Sequence, residues 1–132
     1  EWNFQQDSLA AQIIVENWPT SIIFCGFEIG EKIMTGKRLC FLGTKDNPVR
    51  TAYQLHTQGE ARPSWDPATV LCAVRGSLDY WTVESGGGCA VASDGSNQWQ
   101  TSDKRNHHYL KERMVPSKLA AIIEELMLQP PM

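Results

Sequence analysis

The sequence predicts an α/β fold: an open, mostly parallel sheet with flanking helices, and a β-hairpin or meander added towards the end. Three observations predict it. Segments of helical periodicity alternate with short apolar runs along the chain. The run SIIFCGF at 21–27 is apolar through its centre, as suits a strand covered on both faces. A β-rich stretch after Asp79 is interrupted by GGG and by DGSN, which are turn signals between antiparallel strands.

Taken in order, EWNF at 1–4 reads as a strand end. Trp2 and Phe4 fall on one side at period two, with Glu1 and Asn3 on the other. Asp7 or Ser8 caps a helix running to about Asn17, with Leu9, Ala10, Ile13 and Ile14 as its apolar face and Pro19 as its stop. TSIIFCGF at 20–27 is the buried strand. GEKIMTGKR at 30–38 is a short irregular or helical link bounded by glycines. A helix follows from about Pro48 to Gln58, closed by Gly59. In SWDPATVLCAVRG, Asp66 stands at the N-cap of another, with Pro67 at its first position and Gly76 after its last turn. After the hairpin, HHYLKERM at 107–114 supplies one more strand. Leu119, Ile122, Ile123, Leu126 and Met127 then mark the inward face of a closing helix, started by Pro116 and ended by Pro130 and Pro131. SDKR at 102–105 and GEARP at 59–63 read as solvated loops.

Composition narrows the function. The 132 residues fit one domain, and 42% hydrophobic content suffices for a core. A net charge of −3 excludes a broad basic footprint for nucleic acid. No apolar run approaches the length that spans a bilayer, so no membrane partner is expected. Cys25, Cys40, Cys72 and Cys89 lie far apart in apolar surroundings without CxxC spacing, which favours buried thiols over a zinc site.

Most polar residues have structural explanations. Asp103, Lys104 and Arg105 read as a solvated turn, and His56 as a surface or packed histidine. His107 and His108 are adjacent, so in a strand they point to opposite faces and cannot chelate one ion together. The glycines at 86–88 suit a turn and not a dinucleotide fingerprint, because no strand-to-helix junction surrounds them. Two stretches invite more. In EWN, a carboxylate and an amide would lie side by side, a set of acceptors and donors suited to sugar hydroxyls. In SWDP, Trp65 precedes a helix N-terminus, at the carboxyl-end rim of an α/β sheet where ligands bind, and an exposed indole there offers a stacking platform. Helix capping and core packing remain the plain alternative for both.

EWNFQQDSLAAQIIVENWP, SWDPATVLCAV and NHHYLKERMVPSKLAAIIEELM together resemble the C-terminal part of the nucleoside hydrolases, the inosine-uridine preferring nucleoside N-ribohydrolases. The family's Glu-x-Asn strand end followed by Asp-Pro-x-Ala-Ala matches Glu1, Asn3, Asp7, Ala10 and Ala11, with Ser8 where proline is usual. Its aspartate at a helix N-terminus matches Asp66, before Pro67. The resemblance implies a Rossmann-like sheet, with residues 1–132 as the C-terminal portion of a single domain. It implies hydrolysis of ribonucleosides to ribose and free base around a calcium ion, with Asp66 as a calcium ligand also touching the ribose diol. Glu1 and Asn3 would hold ribose hydroxyls. The family's N-terminal aspartate cluster, which would hold the ion and supply the general base, does not occur here, so no catalytic residue is assigned within the chain. Many members carry a histidine where Trp65 stands, and the purine-preferring branch carries tryptophan, which implies a purine nucleoside substrate. Members are commonly homo-oligomers. The alternatives are a nucleoside-binding protein of the same fold without catalysis, and a structural domain.

Overall fold

A computed structural model describes residues 2–101 and 105–129. The elements are α1 (Trp2–Gln6), α2 (Ser8–Asn17), β1 (Ile22–Phe24), α3 (Phe27–Gly30), β2 (Met34–Thr35), α4 (Lys37–Leu42), α5 (Pro48–Thr57), β3 (Arg62–Pro63), α6 (Trp65–Arg75), β4 (Trp81–Val91), β5 (Asn97–Gln100), β6 (His107–Glu112) and α7 (Pro116–Leu128). They group into two units, residues 1–24 with 83–111, and residues 25–82 with 112–132.

In the first unit the sheet order is β1-β6-β4-β5. It is mixed: β1 runs parallel to β6 with Ile22 opposite His107, and β4 pairs antiparallel with β5 with Cys89 opposite Trp99. The expected mostly parallel sheet is therefore reduced to one parallel pair. The hairpin that the turn residues predicted occupies the other edge, and hairpin pairing is antiparallel by construction. The glycines at 86–88 are not a turn but part of β4, where a Cβ on Gly87 would lie 2.5 Å from the Trp99 ring. On β4, Glu84 accepts a 2.9 Å hydrogen bond from Trp99 Nε1 and pairs with Lys111. The Lys111 ammonium, more than the indole, holds the Glu84 carboxyl below its ordinary range.

Asp7 caps α2 as expected, its Oδ1 accepting from Ala10 N at 2.9 Å. The inward face differs from the expected one. Leu9, Ile13 and Ile14 are exposed, while Val15 is buried with Cys89 and Val91, and Phe4, Ala11, Phe24 and Trp99 pack around them. Two polar anchors set this rotation: Gln12 Nε2 donates to Val91 O at 2.9 Å, and Ser8 Oγ to Ser93 O at 2.7 Å. EWNF is also corrected. Residues 2–6 form α1 instead of a strand, Trp2 is exposed, and only Phe4 turns to the core.

The second unit is helical around the two-stranded β2–β3 sheet. The expected strand at 20–27 shortens to β1, because Gly26 leads into α3. The link at 30–38, read as irregular or helical, contains β2 and the first two residues of α4, which runs on to Leu42 beyond it. GEARP is not a solvated loop throughout, since Arg62 and Pro63 are β3 and half-buried. Helix α5 begins at Pro48 with Asn47 as its cap and ends one residue short of expectation, with Gln58 in the left-handed region. Helix α7 buries Leu119 and Ile123 and packs against β2, α4 and α6. The prolines expected to end it, and Asp103 and Lys104 of the expected turn, lie outside the described residues.

Helix α4 starts at Gly36, which has no side chain to cap it. The missing acceptor comes from α7: buried Glu124 takes hydrogen bonds from Gly36 N at 2.8 Å and Arg38 N at 3.0 Å. A carboxylate there satisfies two orphan amides and complements the positive end of the helix. Next to it, Thr35 Oγ1 shares hydrogen bonds with Ser64 Oγ at 2.5 Å and Tyr53 OH at 3.1 Å. Glu124→Ala strands two amides and should destabilise the chain by roughly 2–3 kcal/mol. Glu125→Ala, which removes only an exposed pair with Arg38, should cost at most about 0.5 kcal/mol. Urea unfolding of the two variants checks the contrast.

Candidate functional site

Helix α6 begins two residues earlier than its Asp-Pro signal suggests. Ser64 is the N-cap and its carbonyl accepts from Ala68 N at 3.1 Å. Asp66 is therefore not the cap but the second helical residue, with Pro67 third. Proline is tolerated in a first turn because its missing N–H would have no helical partner. The Ser64 hydroxyl makes no cap bond, being engaged with Thr35 Oγ1 and, at 3.4 Å, with Arg62 O. Asp66 is left exposed, with no hydrogen bond or ion pair among the described residues.

Trp65 is held from the other side. Its Nε1 donates to Phe27 O at 3.0 Å, and its ring lies 5.1 Å from that of Phe27, tilted by 32°. Gly30 O accepts from Ser64 N at 3.0 Å. The helices approach so closely that a Cβ on Gly30 would stand 2.5 Å from Trp65 Cδ1 and 2.6 Å from Trp65 Cα. The indole is half-buried, so it serves packing and still borders a cavity.

That cavity is a cleft of about 370 Å³ lined by Ala52, Tyr53, His56, Arg62, Pro63, Trp65, Asp66 and Pro67. Its volume falls within the range of about 300–1,000 Å³ usual for small-molecule sites. Two residues of its wall were legible in the sequence, Trp65 and Asp66. His56, read as a surface or packed histidine, and Arg62, read as part of a solvated loop, are additions. The signal for His56 was available: Ala52, Tyr53 and His56 share one face of α5 by i, i+1, i+4 spacing. Arg62 carried no such signal, since it depends on β3 pairing with β2, where Thr35 opposes it. The side chains of Asp66, His56 and Arg62 have no hydrogen bond or ion pair among the described residues, so the cleft offers an acceptor, a titratable ring and a guanidinium fork to a ligand.

Glu1 lies outside the described residues. Asn3 is exposed on α1 in the first unit. The expectation that Glu1 and Asn3 point the same way rested on a strand, whereas Asn3 lies on a helix. Trp81 is buried in the second unit, and its Nε1 has no partner among the described residues, for which nothing in the structure gives a reason. In the first unit, His107 Nδ1 accepts from Cys89 N at 3.1 Å, and His108 Nδ1 shares a 2.8 Å bond with Ser85 Oγ. The Ser85–His108 pair resembles part of a nucleophile–base arrangement, but no carboxylate orients the far side of the His108 ring among the described residues. A second cavity, of about 510 Å³, is walled largely by apolar residues such as Val49, Val70, Leu71, Val74, Ile123 and Met127, with Asp66 and Arg75 also on its wall.

No two cysteines form a disulfide, and burial pushes the Cys72 and Cys89 thiols up. No group of three His, Cys, Asp or Glu side chains that could hold a metal occurs among the described residues. Among those residues no helix is long and apolar enough to cross a membrane. No family model matches the chain, and no curated protein or solved structure matches it.

The close approach at Gly30 generates a prediction. Gly30→Ala must push Trp65 and the first turn of α6 away, whereas Trp65→Ala leaves a partial cavity and removes the indole hydrogen bond to Phe27 O, which keeps its bond from Glu31 N. Each should destabilise by roughly 1–3 kcal/mol. If packing dominates, Gly30→Ala should also change the accessibility of Trp65 to fluorescence quenchers; an unchanged melting temperature in both variants would show that the α3–α6 junction is loose.

Proposed function

We propose that this chain forms the sugar- and base-binding part of a calcium-dependent nucleoside hydrolase, which cleaves the N-glycosidic bond of ribonucleosides, purine ones foremost, to ribose and free base. The observation that carries the proposal is the unpartnered Asp66 carboxylate, exposed beside Trp65 on the wall of a cleft of about 370 Å³. The order of EWN, SWDP and the closing segment in the sequence supports the same reading.

The chemistry follows from the side chains. A carboxylate accepts hydrogen bonds from two neighbouring hydroxyls, as a ribose diol presents them. The first turn of α6 fixes Asp66 on a rigid element. The Trp65 indole gives a flat base an apolar support. Departure of the base leaves positive charge on the sugar, and a carboxylate nearby lowers the energy of that state. The ribose contacts of Asn3 and Glu1 rest on the sequence resemblance alone.

Calcium takes six to eight oxygens. Asp66 would supply one carboxylate, and the described residues do not complete the shell. Among the described residues Asp66 is also the one carboxylate bordering the cleft, and one carboxylate cannot both hold the diol and deprotonate the attacking water. The same observation favours the second reading, a nucleoside-binding protein without turnover. Homo-oligomerisation belongs to the proposal through the resemblance.

Equilibrium dialysis of the chain against inosine with calcium, followed by chromatography for hypoxanthine, tests both. Saturable binding without base release is expected. Asp66→Ala should weaken binding by about tenfold, the worth of hydrogen bonds to a charged acceptor, with helix content unchanged by circular dichroism. Absence of saturable binding would sink the nucleoside reading. Calcium-dependent release of hypoxanthine would instead discard the binding-only alternative and reveal a complete catalytic set.

A further inference from the structure

The purine reading leaves one strong group of the cleft without a task. Arg62 lies on β3, three residues before Trp65, and borders the same cleft. It is half-buried, and its guanidinium has no hydrogen bond or ion pair among the described residues. Two other cations of the same unit are paired, Lys37 with Glu60 at 2.8 Å and Arg38 with Glu125 at 2.8 Å. Asp66 borders the cleft as well, yet no ion pair joins it to Arg62. A half-buried cation that borders the cleft without pairing to the carboxylate on the same wall suits an acceptor-rich ligand there.

We propose that Arg62 is the specificity-determining residue of this cleft, and that it selects 6-oxopurine nucleosides, such as inosine and guanosine, over 6-aminopurine nucleosides. This rests on the nucleoside reading above and refines it. With the diol at Asp66 and the base supported by Trp65, the outer edge of the purine is what remains for a group three residues upstream. A guanidinium has five donors and no acceptor. A 6-oxopurine presents two acceptors on that edge, O6 and N7, in the spacing that an arginine fork matches bidentately. Adenosine presents N7 beside an amino group, so donor would face donor and one buried N–H would be left unpaired. The planar fork matters as well as the charge, and lysine would reproduce it poorly.

The test is isothermal titration of the 132-residue chain with inosine and with adenosine, which differ at position 6. The expected result is an inosine preference of about tenfold. Arg62→Met, which keeps the aliphatic stem, should erase that preference by weakening inosine and leaving adenosine unchanged. Arg62→Lys should restore only part of it. Equal affinity for the two nucleosides, or a preference that survives in Arg62→Met, overturns the assignment while leaving the nucleoside reading intact, provided Asp66→Ala still weakens both ligands. Binding of neither nucleoside overturns the assignment together with the reading on which it rests. Melting curves of the variants separate loss of recognition from loss of fold.

Discussion

The second unit depends on one buried carboxylate. Glu124 reaches from α7 to the amides of Gly36 and Arg38 and so begins a helix whose own sequence provides no cap. A charged acceptor that is buried must be satisfied, and two backbone donors satisfy it. The bond fixes residue 36, and residue 35 is fixed with it. Thr35 then carries hydroxyl contacts to Tyr53 on α5 and to Ser64 at the start of α6. The cleft takes its shape from elements tied to that short polar chain: one wall is a face of α5, the other is β3 with the first turn of α6.

The same chain of contacts explains why Asp66 is available at all. Had Asp66 been the cap, its side chain would have been engaged with the backbone of its own helix. With Ser64 as the cap, its hydroxyl turned to Thr35, and Gly30 O holding Ser64 N, the helix begins earlier and Asp66 moves into the first turn with its carboxylate outward. Gly30 contributes by having no side chain, because any Cβ would collide with Trp65. Packing and chemistry thus meet at Trp65–Asp66. One residue is anchored by its N–H and ring, and the next is unpartnered.

The first unit shows how polar anchors override apolar count. Its helix α2 offers more hydrophobic area through Leu9, Ile13 and Ile14 than through the face it buries. Gln12 and Ser8 bond to carbonyls at the end of the hairpin and turn Val15 inward instead. Across the sheet, Trp99 lies over Gly87 and donates to Glu84, which also meets Lys111. The run of glycines thereby serves close approach along a strand and not reversal of the chain.

Local signals in the sequence determined the elements whose causes are local. Asp7 and Asn47 cap the helices that follow them, Gly76 ends α6, the DGSN turn makes the hairpin, and the spacing of Leu119 and Ile123 places α7 on a core. Trp65 and Asp66 stand out in the sequence as candidates because an indole and a carboxylate at a helix start are unusual neighbours, and both border the cleft. The rest waited for tertiary structure. The helical state of residues 2–6, the rotation of α2, the start of α4 and the reversal of GGG from turn to strand each depend on partners distant in sequence or on another strand, as the Glu124 cap on Gly36 shows with a separation of 88. Arg62 joined the cleft for the same reason, through β3 pairing with β2. A single sequence records what a residue prefers among its neighbours, whereas a cleft wall is decided by which distant backbone groups claim the remaining hydrogen bonds.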